Sequence, residues 1–334
     1  MRKLAQIVRL IASLLAALAL VILFLSCGAY AEWPERTVKI IVPFARGGAT
    51  DLLGRLLATQ LGQRLGQNVN VENRVGAVGT NGMSAAVRTA ANGYTLLVTT
   101  NAALITPVMN SNFSKFSYDP IKDFAPIAYL GTTPSVIVTR RASGIGSLAD
   151  LIAKAKANPG ALTYASPGVG SSSHFAMEFL KRRASIDIRH IPFDGSGPAL
   201  RAMLSGGTDI AIVGIGGLME QLRSDAIKCL AQTGSERWVE LPDVPTMAEA
   251  GVPGVVTETS VMFFAPAGTP APIIERLTQA TRMILQNPNV QADLMKAGFS
   301  VRYEGPDGLR ARIKREIPMW EEIAERAGVG RIKR

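Results

Sequence analysis

The stretch I-V-P-F-A-R-G-G-A-T-D-L-L-G, residues 41–54, decides how the chain begins to fold. An apolar run, Val38 to Val42, stops at Pro43, and the pair Gly47-Gly48 follows. Thr50 and Asp51 then precede leucines at helical spacing. This is a strand, a glycine turn and a helix N-terminus. Glycine lets a backbone approach a ligand closely, and the free N–H groups of a helix start attract an anion. The phosphate motifs are missing: no lysine follows the glycines as in G-x-x-x-x-G-K-[ST], and no G-x-G-x-x-G follows the strand. Asp51 reads as a carboxylate complementing the helix dipole rather than as a ligand contact, because it would repel an acid.

The same rhythm continues outward. The strand Val69–Glu72, the loop 73–79, a helix near Asn81–Ala90 and the strand Tyr94–Thr99 complete a β-α-β-α-β series. Such a series predicts a mainly parallel sheet with helices on both faces, and ligands at the carboxyl ends of its strands. Phe124–Leu130 and Val136–Thr139 read as two strands separated by Gly131-Thr132-Thr133-Pro134, where the chain crosses into a second domain. There Ser147 caps a helix over Leu148–Ala157, and a strand at Leu162–Ala165 runs into Ser166-Pro167-Gly168-Val169-Gly170-Ser171-Ser172-Ser173-His174. A helix to about Arg183, a strand at Ile188–Ile191, Gly195-Ser196-Gly197-Pro198 opening another helix, and strands at Asp209–Val213 and around Cys229 follow. Glu258–Ala265 and helical regions at Ile273–Gln286 and Gly305–Ala327 return to complete the first domain. The predicted domains are 32–133 plus 256–334, and 134–255, joined by two crossings that suit a hinge.

Arg2, Lys3 and Arg9, the apolar run Leu10–Leu25 and Ala29-Tyr30-Ala31 form a secretory signal peptide cleaved after Ala31. Lipidation at Cys27 is the alternative, with Phe24-Leu25-Ser26 a poor lipobox. No later stretch is long and apolar enough to span a bilayer. The formal charge of +10 includes three charges in that leader and three at Arg331, Lys333 and Arg334. The mildly basic remainder suits small anions, and no basic block interleaved with aromatics points to nucleic acid. Beyond the leader Cys229 stands alone, so no internal disulfide forms, and it reads as a buried strand residue.

Two histidines, His174 and His190, are all the chain has. Ser171, Ser172 and Ser173 adjoin His174, yet G-x-S-x-G is missing, and sequence adjacency makes no triad. No metal-ligand spacing and no cofactor motif occurs. Catalysis is therefore not expected, and His174 reads as a helix-start or core hydrogen-bonding residue. Two glycine turns, one per domain across a cleft, instead suggest a clamp for a small anion with two ends.

Several motifs together resemble the Bug-type solute receptors of tripartite tricarboxylate transporters. They are W-P-E-R-T-V-K-I-I-V-P-F-A-R-G-G-A-T-D (33–51), V-E-N-R-V-G-A-V-G (71–79), G-Y-T-L-L (93–97), Y-A-S-P-G-V-G-S-S-S-H (164–174), H-I-P-F-D-G-S-G-P-A-L (190–200), L-P-D-V-P-T-M-A-E-A-G (241–251) and F-A-P-A-G-T-P-A-P (264–272). The resemblance implies a two-lobed, type II-like periplasmic-binding fold that closes on a small organic acid, and a membrane transporter partner with a large and a small subunit. It implies ligand contacts from Phe44, Ala45, Arg46, Gly47, Gly48 and Thr50, from Thr100 and Asn101, and from Ser166, Gly168, Gly170, Ser171, Ser172 and Ser173. Arg46 and Asp194 depart from the family pattern, as does Ile212-Val213-Gly214-Ile215. Arg46 stands where a proline or small residue is usual, and Asp194 where a lysine is common. Together they are candidate ligand contacts that would favour a zwitterion or an amide-bearing acid. The chain is read as a monomer. A receptor reporting to a membrane sensor kinase, and a hydrolase on the same fold, are the alternatives.

Overall fold

In a computed structural model, residues 33–109, 118–218, 221–222 and 224–327 are described. The leader with Cys27, most of the polar stretch 110–119 and the basic residues Arg331, Lys333 and Arg334 lie outside them. The first half of the chain is β1 (Val38–Val42), α1 (Ala49–Leu65), β2 (Val69–Asn73), α2 (Thr80–Val87), β3 (Thr95–Thr100) and α3 (Ala102–Met109). A long strand β4 (Phe124–Arg140) leads to α4 (Leu148–Ala157), β5 (Thr163–Ser166), α5 (Ser172–Ala184), β6 (Arg189–Pro192), α6 (Ser196–Leu204), β7 (Ile210–Gly214) and β8 (Ile227–Gln232). The return consists of β9 (Glu258–Pro266), α7 (Ala271–Leu285), α8 (Pro288–Lys296), β10 (Ser300–Glu304) and α9 (Pro306–Ala327).

The strands run in the order β2-β1-β3-β9-β4-β7-β5-β6, with β10 and β8 also paired to β4. β2, β1 and β3 are mutually parallel, as are β6, β5 and β7. These are the two sets of β-α-β units that the sequence rhythm predicts. Antiparallel β9 and β4 stitch them together.

β4 differs from expectation. It is one strand rather than two, and Gly131-Thr132-Thr133-Pro134 lies inside it. Its register against β9 shifts between Tyr129 and Gly131, which marks a bulge. Gly131 has φ +144, and a Cβ there would meet the Ser300 carbonyl at 2.1 Å. The glycine serves the approach of β10, not a turn. α3, α8 and β10 are the elements that sequence reading did not find, although Asn287-Pro288 is a readable helix start.

Burial follows the expected periods. Leu53, Leu57, Leu61 and Leu65 form the buried stripe of α1, which ends at left-handed Gly66. Fully burying four leucines contributes roughly 6–12 kcal/mol before chain entropy is charged against it. In the second half, Ile210 and Ile212 of β7 face one apolar cluster, while Ala211 and Val213 face another. A strand buried on both faces requires that pattern. Another cluster joins Met83 and Leu97 of the first half to Tyr129 of β4 and Phe264 of β9. Cys229 does lie in a strand, but it is half-buried rather than enclosed. Burial pushes its thiol up to about 11.

Candidate functional site

Four helices begin at one place. β1 ends at Val42, and α1 starts after Gly48, which offers no capping side chain. The first amides of α1 therefore lack intrahelical acceptors. α3 starts just after Thr100, whose Oγ1 accepts from the Ala102 amide at 3.2 Å. α5 starts after Ser171, whose hydroxyl accepts from the His174 amide at 3.1 Å. α6 starts after Gly195, at φ +131.

These starts surround a cavity lined by Phe44, Gly48, Ala49, Thr50, Thr100, Ala102, Thr133, Pro167, Ser171, Ser172, Ser173, Gly195, Ser196, Gly214 and Thr259. It leaves about 40 Å³ for the centres of water-sized occupants, where one water needs roughly 10–15 Å³. No lining residue carries an ionisable side chain. Hydroxyls and helix dipoles supply the polarity, each helix start acting as about half a positive charge. Such a lining offers hydrogen-bond donors and the positive ends of helix dipoles without a charged side chain.

The turns are rigidified from behind. The Asp51 side chain is 2 % exposed and accepts from the Gly47 amide at 3.1 Å, Asn73 Nδ2 at 2.8 Å and Arg55 Nε at 3.0 Å. Asn73 Nδ2 also donates to the Phe44 carbonyl at 2.9 Å. Asp51 thus folds its own turn onto the end of β2. Behind α5, Ser166 Oγ lies 2.7 Å from His190 Nε2, and His174 Nδ1 accepts from the Gly170 amide at 3.2 Å. The two imidazoles stack at 4.4 Å, and His190 stacks on Tyr164 at 4.5 Å. Burial, helped by Lys181, pushes His174 down to about 4. Burial, with His174 beside it, pushes His190 down to about 3. Both rings are neutral near pH 7, and His174 supports the helix start.

The structure brings some expected contacts together and separates others. Phe44, Gly48, Thr50, Thr100, Ser171, Ser172 and Ser173 line the cavity. Arg46 does not: it is exposed, and its Nε reaches Asn73 Oδ1 at 3.4 Å. Asp194 is also exposed, and its carbonyl accepts the Ala45 amide at 3.2 Å across the two halves. Neither Arg46 nor Asp194 is among the residues that line this cavity. Gly47 spends its amide on Asp51 and borders a separate groove with Leu52 and Arg201. Asn101 is buried and donates through Nδ2 to the Glu258 carbonyl at 3.1 Å. Ser166, Gly168 and Gly170 buttress α5 from outside the lining.

Sequence reasoning missed Ala49, Ala102, Thr133, Pro167, Gly195, Ser196, Gly214 and Thr259. Gly195-Ser196 had a readable signal, a glycine opening a helix in the same manner as Gly48. Thr133, Gly214 and Thr259 come from three separate strands and had none. Two of the serine hydroxyls are shared with such strands. Ser172 Oγ lies 2.6 Å from Thr259 Oγ1, and Ser173 Oγ lies 2.8 Å from Ser135 Oγ.

Two α/β lobes closing helix starts around a cavity define a solute-binding protein. Residues 53–329 match the family described as Tripartite tricarboxylate transporter family receptor, TctC. Protein BugT of Bordetella pertussis is 36 % identical over 296 residues, covering 89 % of this chain and 90 % of BugT. Among solved structures, R. palustris Rpa4515 with adipate has a TM-score of 0.86 at 32 % identity, covering 90 % of this chain and 99 % of that one. MatC (Rpa3494) from Rhodopseudomonas palustris with bound malate has a TM-score of 0.80 at 34 % identity, covering 87 % and 99 %. This chain belongs to the TctC family of tripartite tricarboxylate transporter receptors, which are periplasmic solute-binding receptors and not enzymes.

Proposed function

We propose that the chain captures a small organic acid in this cavity and delivers it to a tripartite tricarboxylate-type secondary transporter with a large and a small membrane subunit. The observation that carries the reading is a lining of hydroxyls and four helix starts without an ionisable side chain. Four half-charges suit a di- or tricarboxylate, or a related acid, better than a cation or a neutral sugar. Proteins of similar fold and about one-third identity hold adipate and malate. The contacts are those of the lining, with Phe44, Gly48, Thr50 and Thr100 on one side and Ser171, Ser172, Ser173 and Ser196 on the other.

The lobes are 32–133 plus 256–334, and 134–255. Bonds between Ser135 and Thr233, and from the Thr257 amide to the Thr233 carbonyl, hold the two crossings side by side and support those bounds. The receptor acts as a periplasmic monomer after cleavage behind Ala31. N-terminal sequencing of the exported protein should begin at Glu32, and a lipidated Cys27 would overturn that site.

The deciding experiment is a thermal-shift screen of an organic-acid panel that includes malate and adipate. At 100 times its dissociation constant a ligand adds about 2.7 kcal/mol of stability. A panel in which no acid raises the melting temperature sinks the proposal.

A further inference from the structure

Between β2 and α2 lies a backbone that no cavity contact explains. Ala77 has φ +48 and Val78 has φ +54, both in the left-handed region, between Gly76 at φ +116 and Gly79 at φ +89. A β-branched residue there is a steric outlier, and it persists only where its surroundings over-determine it. Residues of this kind concentrate at ligand clamps.

The surroundings belong partly to the other lobe. A Cβ built on Gly168 would lie 3.0 Å from Val78 Cγ2, 3.5 Å from its Cγ1 and 3.3 Å from the Phe193 carbonyl. The Val78 isopropyl group therefore rests on bare backbone at Gly168, which has φ +131. The Gly168 carbonyl in turn accepts from Ser171 Oγ at 2.8 Å and from the Ser171 amide at 3.2 Å. The contact thus presses on the turn that presents Ser171 to Ser173. One residue beyond Phe193, the Asp194 carbonyl takes the Ala45 amide of the first lobe.

We infer that Val78 is a positioning residue for closure: its left-handed backbone is held by the seat at Gly168, and this seat sets how firmly the lobes stay shut. Val78 does not line the cavity, so it acts through α5 and not on the ligand. The inference rests on the receptor reading for its purpose. Its test needs no ligand.

The test is amide hydrogen exchange on the full exported chain, first free and then with malate and adipate. In the ligand-free protein, Val78→Gly relaxes the backbone and removes the seat. The Ala45 amide should then exchange at least tenfold faster, while the Ile40 and Val42 amides of β1 and the melting temperature do not fall. Val78→Ala, which keeps a side chain, should give a smaller acceleration of the same amide. Gly168→Ala should also expose the Ala45 amide, because its methyl meets Val78 Cγ2. Adding Val78→Ala to Gly168→Ala should restore at least part of that protection, since backbone strain at 168 does not depend on residue 78.

Unchanged Ala45 exchange in Val78→Gly overturns the inference, and so does a double variant no better protected than Gly168→Ala. Faster exchange of β1 together with Ala45 also overturns it, because that marks general loosening. If malate and adipate protect nothing in the parent chain, the carboxylate reading suffers while the ligand-free comparison still decides the role of Val78.

Discussion

Replacing Gly48 by valine separates binding from folding. Gly48 has φ −85 and ψ 163, which valine adopts freely. A Cβ there makes ordinary contacts, 3.7 Å to the Ala45 carbonyl and 3.9 Å to Ser196 Cβ. Gly48 and Ser196 both line the cavity, which offers only about 40 Å³ to the centres of water-sized occupants, so two further methyls at residue 48 compete with the ligand for that space. Losing a glycine N-cap costs roughly 0.5–1 kcal/mol of folding stability, a minor part of the 5–15 kcal/mol typical of a domain. Binding should fall at least tenfold, about 1.4 kcal/mol. Calorimetric titration with whichever acid the screen selects, on protein whose folding is confirmed by urea unfolding, reads both quantities. Gly48→Ala should lie between parent and valine variant. Gly170→Val is the contrast: Gly170 has φ +90 and lies outside the lining, so roughly 1–3 kcal/mol should come off folding. A folded Gly48→Val protein that binds as tightly as the parent would refute the placement of the ligand between α1 and α6.

Arg46→Ala should leave affinity within twofold and its salt dependence unaltered, because the side chain is exposed and reaches Asn73 rather than the cavity. A tenfold loss in the same titration would put the guanidinium back on the ligand. Ser172→Ala and Thr259→Ala should each weaken binding by roughly 0.5–1.5 kcal/mol, and their double variant should fall short of the sum, because the hydroxyls bond each other. Strict additivity would show that the pair does not act together. His174 and His190 bind protons only near pH 4 and 3 when folded, whereas unfolded histidine does so near 6.5. The unfolded chain therefore takes up protons first as pH falls. The stability contributed by the neutral rings is complete above about pH 6.5 and is lost on the way down, to about pH 4 for His174 and about pH 3 for His190. Each ring contributes up to about 1.4 kcal/mol per pH unit inside that window. Urea unfolding at pH 7 and pH 5 should differ by roughly 2–4 kcal/mol from this pair, and Val or Leu at both positions should flatten the difference.

Local patterning was enough for most elements. α1 announces itself by leucines four apart and by Gly48 and Gly66 at its ends, and α4 runs over Leu148–Ala157 as its Ser147 cap and Asn158-Pro159-Gly160 stop require. Hydrogen bonds within a helix join residues three or four apart, so a short window of sequence contains the whole cause. The two glycine turns were legible for the same reason, and so was the expectation of an anion.

Which atoms would meet that anion was not legible. Gly131 looked like a turn residue until β10 was seen to cross it at a distance no Cβ permits. Arg46 and Asp194 stand beside the right glycines in sequence, yet one side chain leaves toward β2 and the other toward solvent. Asp51 folds back onto its own turn through Asn73, 22 residues away. Thr133, Gly214 and Thr259 enter the cavity from three strands whose neighbourhood is set by sheet order, a property of non-local pairing. The sequence by itself determined most of the elements and the helix starts after the two glycine turns, because these arise from bonds between near neighbours. The tertiary structure decided the lining, because a cavity is the space left when distant segments pack, and no window of neighbours encodes it.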